Sequence, residues 1–114
     1  MSLTNLANAV TVTEKGINNI GSYAALIMSC EVEKLIPLGT TSDYVITIRK
    51  SFSKKDADAI MLVYQSSLHN KKVYSPSKDA WLKWTIDEKS CTSVDKTIPS
   101  LKDFMKKMSK EYPN

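Results

Sequence analysis

Ser53 is followed three residues later by Asp56, and then by apolar side chains at Ala57, Ile60, Met61, Tyr64 and Leu68. The Ser53–Asp56 pair has the spacing of a helix-capping box, and the apolar positions fall at i, i+3, i+4, i+7 and i+11, one face of an α-helix. No glycine or proline interrupts the run before His69-Asn70. This is the most secure helix in the chain, and whatever else the sequence builds must cover its apolar face.

Other segments supply candidates for that cover. Leu3, Leu6, Val10, Thr13, Ile17, Ile20, Ala24 and Ile27 recur three and four apart, the longest stripe in the chain. Gly16 and Gly21 interrupt it, each costing about 1 kcal/mol relative to Ala inside a helix. The β-branched run Val10–Thr13 weakens its first part. The pattern predicts a helix from about Gly16 to Leu35, ended by Pro37 and Gly39, with a shorter or frayed helix before it. Thr40-Thr41-Ser42-Asp43 repeats the capping-box spacing ahead of Val45, Ile48 and Phe52. Tyr44, Ile46 and Ile48 would equally share one face of a strand, but the cap and the short links favour a helix. Ser100–Asp103 gives a third box before Leu101, Phe104, Met105, Met108 and Tyr112, with Pro99 suited to a first turn.

Lys71–Lys96 is the least regular stretch. Tyr74-Ser75-Pro76-Ser77 reads as a turn. Ala80–Ile86 reads either as a short helix or as a strand showing Leu82, Trp84 and Ile86 on one face. The expected fold is therefore mainly α: a single domain over residues 1–114, a small bundle of four to five helices around one core, with a minor β-element at Tyr44–Ile48 or Leu82–Ile86.

At 114 residues the chain buries enough surface to fold without a metal or a disulfide. Its 42% hydrophobic and 25% charged residues place it with soluble globular domains and against disorder. No run of 18 apolar residues is present, so no transmembrane helix is expected. No paired n-region and h-region of a signal peptide is seen at its start, which leaves the compartment open. The net charge of +4 lies wholly in the second half, because residues 1–53 balance Lys15, Lys34, Arg49 and Lys50 against Glu14, Glu31, Glu33 and Asp43. Arg49 is the only arginine. Specific readers of phosphates and bases favour the guanidinium fork, so a lysine excess reads first as a solvated surface.

The residues that could carry chemistry are few. Cys30 and Cys91 stand 61 positions apart, which excludes a CxxC metal or redox motif. They are either a disulfide or two buried thiols acting as small hydrophobes. His69, the only histidine, sits at an expected helix C-terminus, where it caps carbonyls. Asp56, Asp58, Asp87, Glu88 and Asp95 are scattered, with Asp56 and Asp58 placed to favour a helix dipole. No catalytic residue, metal site or cofactor is assigned, and an enzyme is the least expected class. Trp81 and Trp84 flank Leu82 and Lys83, with Tyr74 upstream. These aromatics plug the core, stack nucleic acid bases or anchor a protein partner, and of the last two the partner is favoured because tryptophan is a common hot spot. The Leu3–Ile27 stripe is core, a partner-binding groove or a homodimer seam.

A helix running into Cys30, a loop with Leu35-Ile36-Pro37, a helix carrying Tyr64-Gln65-Ser66-Ser67-Leu68, then Cys91 leading to Phe104 and Met105, resembles small exported helical proteins with one disulfide. Two kinds share this order: pilotin lipoproteins of type II secretion and periplasmic immunity proteins that neutralise secreted amidases. The resemblance spans about residues 17–108. The Lys71–Ser90 insert with its two tryptophans departs from the pilotin pattern. The resemblance implies a Cys30–Cys91 bond, a periplasmic or secreted location, and a non-enzymatic role in binding another protein as an adaptor or inhibitor. Unpaired cysteines would fit the cytoplasm instead. The competing expectation is a small basic nucleic-acid-binding protein of phage or plasmid type.

Overall fold

The computed structural model describes residues 12–111. In chain order it contains α1 (Glu14–Val32), α2 (Thr40–Ser51), α3 (Lys54–Asn70), β1 (Lys72–Ser75), β2 (Ala80–Lys83) and α4 (Glu88–Glu111). The fold is a mainly α bundle with one small antiparallel hairpin, in which Lys72 pairs with Lys83 and Tyr74 with Trp81.

α1 is the central element, and α2, α3, α4 and β1 all pack on it. Thr13 starts it, its Oγ1 accepting the Gly16 N–H at 3.1 Å. Ile20, Ala24, Ile27 and Cys30 on one stripe are fully buried. The glycines in this helix have a packing cause that outweighs their propensity penalty. A Cβ at Gly21 would stand 2.6 Å from the Ile60 carbonyl oxygen and 2.8 Å from Val63 Cβ, so glycine lets α3 approach α1 closely. Gly16 makes the same room for Met108 of α4. The helix ends with Lys34 in the left-handed region at φ 61°, while Leu35 N–H reaches back to the Cys30 carbonyl at 3.0 Å.

α2 is a helix, as its links predicted, but its cap is not local. Gly39 holds the N-cap position without a side-chain bond. Glu31 of α1 closes the end instead, accepting the Gly39 N–H at 3.0 Å and the Thr41 N–H at 2.7 Å. Tyr44 points inward with no exposed surface and donates its hydroxyl to the Ile20 carbonyl at 3.0 Å. α3 starts where the sequence placed it, with Ser53 Oγ accepting the Asp56 N–H at 3.1 Å.

The last helix corrects the sequence reading. It does not begin at Ser100 but at Glu88, behind Asp87, whose carboxylate accepts the Ser90 N–H at 2.8 Å. Pro99 lies inside the helix rather than in its first turn. Its ring is exposed, so the missing backbone bond falls on the solvent side. The buried stripe Cys91, Val94, Ile98, Leu101, Met105 and Met108 holds the helix through that gap. The minor β-element falls at the second of the two expected places, with shifted bounds. Tyr44–Ile48 is helical, and the second strand runs over Ala80–Lys83, leaving Trp84 and Ile86 beyond it. The shorter helix expected before Gly16, and Tyr112, lie outside the described residues apart from Val12–Lys15, of which Glu14 and Lys15 open α1. The described part of the Leu3–Ile27 stripe is occupied by the fold's own core.

Candidate protein-binding groove

The sulfurs of Cys30 and Cys91 lie 2.09 Å apart, at bonding distance, with 5.7 Å between the Cα atoms. Both residues are fully buried. The link joins the last turn of α1 to the first turn of α4, and so fixes the start of α4 beside the end of α1. The segment leading into α4 carries Trp84 and Ile86. Trp84 N–H donates to the Lys71 carbonyl at 3.3 Å, tying that segment to the end of α3.

These constraints build a groove of about 570 Å³. Met28, Ser29, Val32 and Glu33 of α1 form one wall, Leu68 and Lys71 at the end of α3 the other, and Trp84 with Ile86 closes the end. A second groove of about 490 Å³ adjoins it between α2 and α3, lined by Val45, Ile46, Met61 and Tyr64, with Glu31, Thr41 and Ser42 at its edge. Met28 lines both. Met61, Tyr64 and Leu68, three residues of the α3 stripe, therefore line two apolar grooves that meet at Met28, together called the trough below. Val32 is 63% exposed and Ile46 52% exposed, so the trough leaves large apolar groups in water.

The electrostatics of the trough are largely settled within the fold. The Thr41 and Gly39 N–H groups hold the Glu31 carboxyl below its ordinary range. Burial, and then the Glu31 charge, push the Tyr64 phenol up. Asp58, farther along α3, is held low by Lys54 and Arg49 at 2.8 and 3.3 Å. Glu33 and Lys71 remain as charges on opposite walls of the first groove.

The three aromatic candidates are divided by the fold. Trp84 is half-buried and belongs to the trough. Trp81 is 43% exposed on the hairpin, outside the trough. Tyr74 is 5% exposed and supports Trp81 from beneath, the rings meeting edge to face at 5.4 Å. Its hydroxyl donates to Asp79, whose carboxylate pushes the phenol up to about 12. Sequence reasoning did not single out Met28, Val32, Ile46 and Met61 as a surface. Only Met61 stood on a helical stripe; Ile46 entered only as a strand-face alternative, and Met28 and Val32 fall off the periodic positions of their segment.

Among the described residues there is no group of three or more His, Cys, Asp or Glu able to hold a metal, and no helix long and apolar enough to cross a membrane. His69 is exposed in the last turn of α3. No family model matches the chain, and no curated protein or solved structure matches it.

Proposed function

We propose that the chain is a non-enzymatic protein-binding module of an exported setting, an adaptor or inhibitor that receives an amphipathic helix of its partner in the Met28 trough. The observation that carries this reading is the apolar line from Ile46 through Met28 to Val32, left open to water on a disulfide-fixed frame. A helix laid along α3 would bury Met61, Tyr64 and Leu68 through anchors at helical spacing. Methionine side chains suit such a floor, because they repack around different apolar shapes. Glu33 and Lys71 on opposite walls set the orientation: the partner helix would carry a basic flank toward α1 and an acidic flank toward the end of α3. The buried disulfide supports the exported setting, because such bonds persist in oxidising compartments.

A photo-crosslinking side chain at Val32, compared with one at Leu62, tests the reading in the native host. Leu62 is 67% exposed and lies outside the trough. The expected result is a discrete protein adduct from position 32 and none from position 62. Met28→Glu should reduce that adduct at least about tenfold, the scale of an interface hot spot. Equal labelling from both positions, or an adduct indifferent to Met28→Glu, overturns the proposal.

A further inference from the structure

The hairpin and the end of α3 border a separate, half-open cavity of about 470 Å³, lined by Ser66, Ser67, Asn70, Lys72 and Trp81. Its volume lies in the range of small-ligand sites, about 300–1,000 Å³. Three features of this cavity are not explained by folding.

The first is the indole. Trp81 is 43% exposed, yet it is held edge to face by Tyr74, which is itself pinned through Asp79. The backbone beneath is pinned too, because the Tyr74 N–H donates to the buried Ser22 hydroxyl at 3.0 Å. An exposed ring on a rigid support is a preorganised stacking platform. The second is a lysine pair at its edge, of which Lys72 lines the cavity and Lys83 stands beside Lys72 outside the lining. Lys72 and Lys83 are directly opposed in the hairpin register, and residues opposite one another share a sheet face, here with Trp81. Like charges so placed repel, and among the described residues neither forms an ion pair. An anion between them removes that repulsion. The third is the polar wall. The Asn70 amide donates to Ser66 Oγ at 3.3 Å, which orients the amide and leaves its oxygen and second N–H to a ligand. Ser67 is 2% exposed, and its hydroxyl has no hydrogen-bond partner within the fold. Buried polar atoms are satisfied as a rule, so a lone one at a cavity invites a ligand group.

We propose that this cavity binds an acidic sugar, a uronic-acid residue at the end of or within a glycan chain. The apolar C–H face of the sugar stacks on Trp81, its hydroxyls bond to Asn70 and Ser66, and its carboxylate sits between Lys72 and Lys83. A single-stranded nucleic acid fits less well, because it needs a track of cations and successive aromatic platforms, whereas a single exposed indole stands here. The site is distinct from the Met28 trough, so either proposal can fail without the other.

Calorimetric titration with a galacturonic-acid trisaccharide, a neutral glucose trisaccharide and a thymidine trinucleotide separates the cases. The Trp81 indole N–H resonance serves as the local readout. The acidic sugar should bind and move that resonance, while the neutral sugar should bind at least about tenfold more weakly, the loss expected when a charge-assisted pair is missing. Lys72→Gln with Lys83→Gln should abolish that preference while leaving the hairpin folded, and Trp81→Ala should remove binding while the fold is kept, with only a small fall in the thermal midpoint from the lost Tyr74 contact. Equal binding of acidic and neutral sugars, no binding of the acidic sugar, or tighter binding of the trinucleotide each overturns the proposal. The last outcome would restore the nucleic-acid reading, with a steep salt dependence as its signature.

Discussion

Replacing both cysteines, as Cys30→Ala with Cys91→Ala, is expected to destabilise the protein by about 4 kcal/mol through the chain entropy returned to the unfolded state. The bond closes a segment of 61 positions, more than half of the chain. For a domain of this size the thermal midpoint should fall by roughly 15 °C. Thermal melts followed by circular dichroism, with and without reductant, measure it, and the double variant should melt where the reduced wild-type protein does. An unchanged midpoint would mean that the Cys30–Cys91 link contributes nothing to the fold. The loss should also weaken the trough, because the same bond fixes the approach of Trp84 and Ile86 to α4.

Tyr44→Ala should cost about 3–5 kcal/mol, the range for emptying a large aromatic site in a core. The ring has no exposed surface and packs α2 over α1. Tyr44→Phe isolates the hydroxyl, whose bond to the Ile20 carbonyl is worth about 1 kcal/mol. Burial also pushes the phenol well up, so it stays a protonated donor through the neutral range. Denaturant unfolding of both variants separates the contributions. If Tyr44→Phe costs as much as Tyr44→Ala, packing is not what holds α2 in place.

The helices were legible where local signals agreed. Ser53, Asp56 and the Ala57–Leu68 stripe specify α3 without outside help, since cap and periodicity lie within one segment. α4 was misread because Ser100–Asp103 and Pro99 imitate a start. The longer stripe from Cys91 through Met108 shows that packing, worth several buried side chains, outweighs one missing backbone bond. The α2 cap was illegible because its acceptor, Glu31, is eight to ten residues away. The hairpin was half legible: Pro76 and Ser77 do turn the chain, but Tyr74 and Ser75, read as part of the turn, belong to β1, whose edge is fixed by Ser22, fifty-two positions earlier.

The sites divide in the same way. The sequence named Trp81 and Trp84 as one aromatic cluster. The fold puts Trp84 in an apolar trough with Met28 and Val32, and Trp81 over a polar cavity with Asn70 and Lys72.

The sequence by itself determined the helical class, the positions of the apolar stripes and the two cysteines, because periodicity, caps and turn residues act over a few positions. Tertiary structure alone decided which glycines admit α3 and α4 to α1, which carboxylate caps α2, that the cysteines meet, and which apolar side chains stay in water. Those outcomes depend on distances between segments far apart in the chain, and such distances exist only once α1 is enclosed.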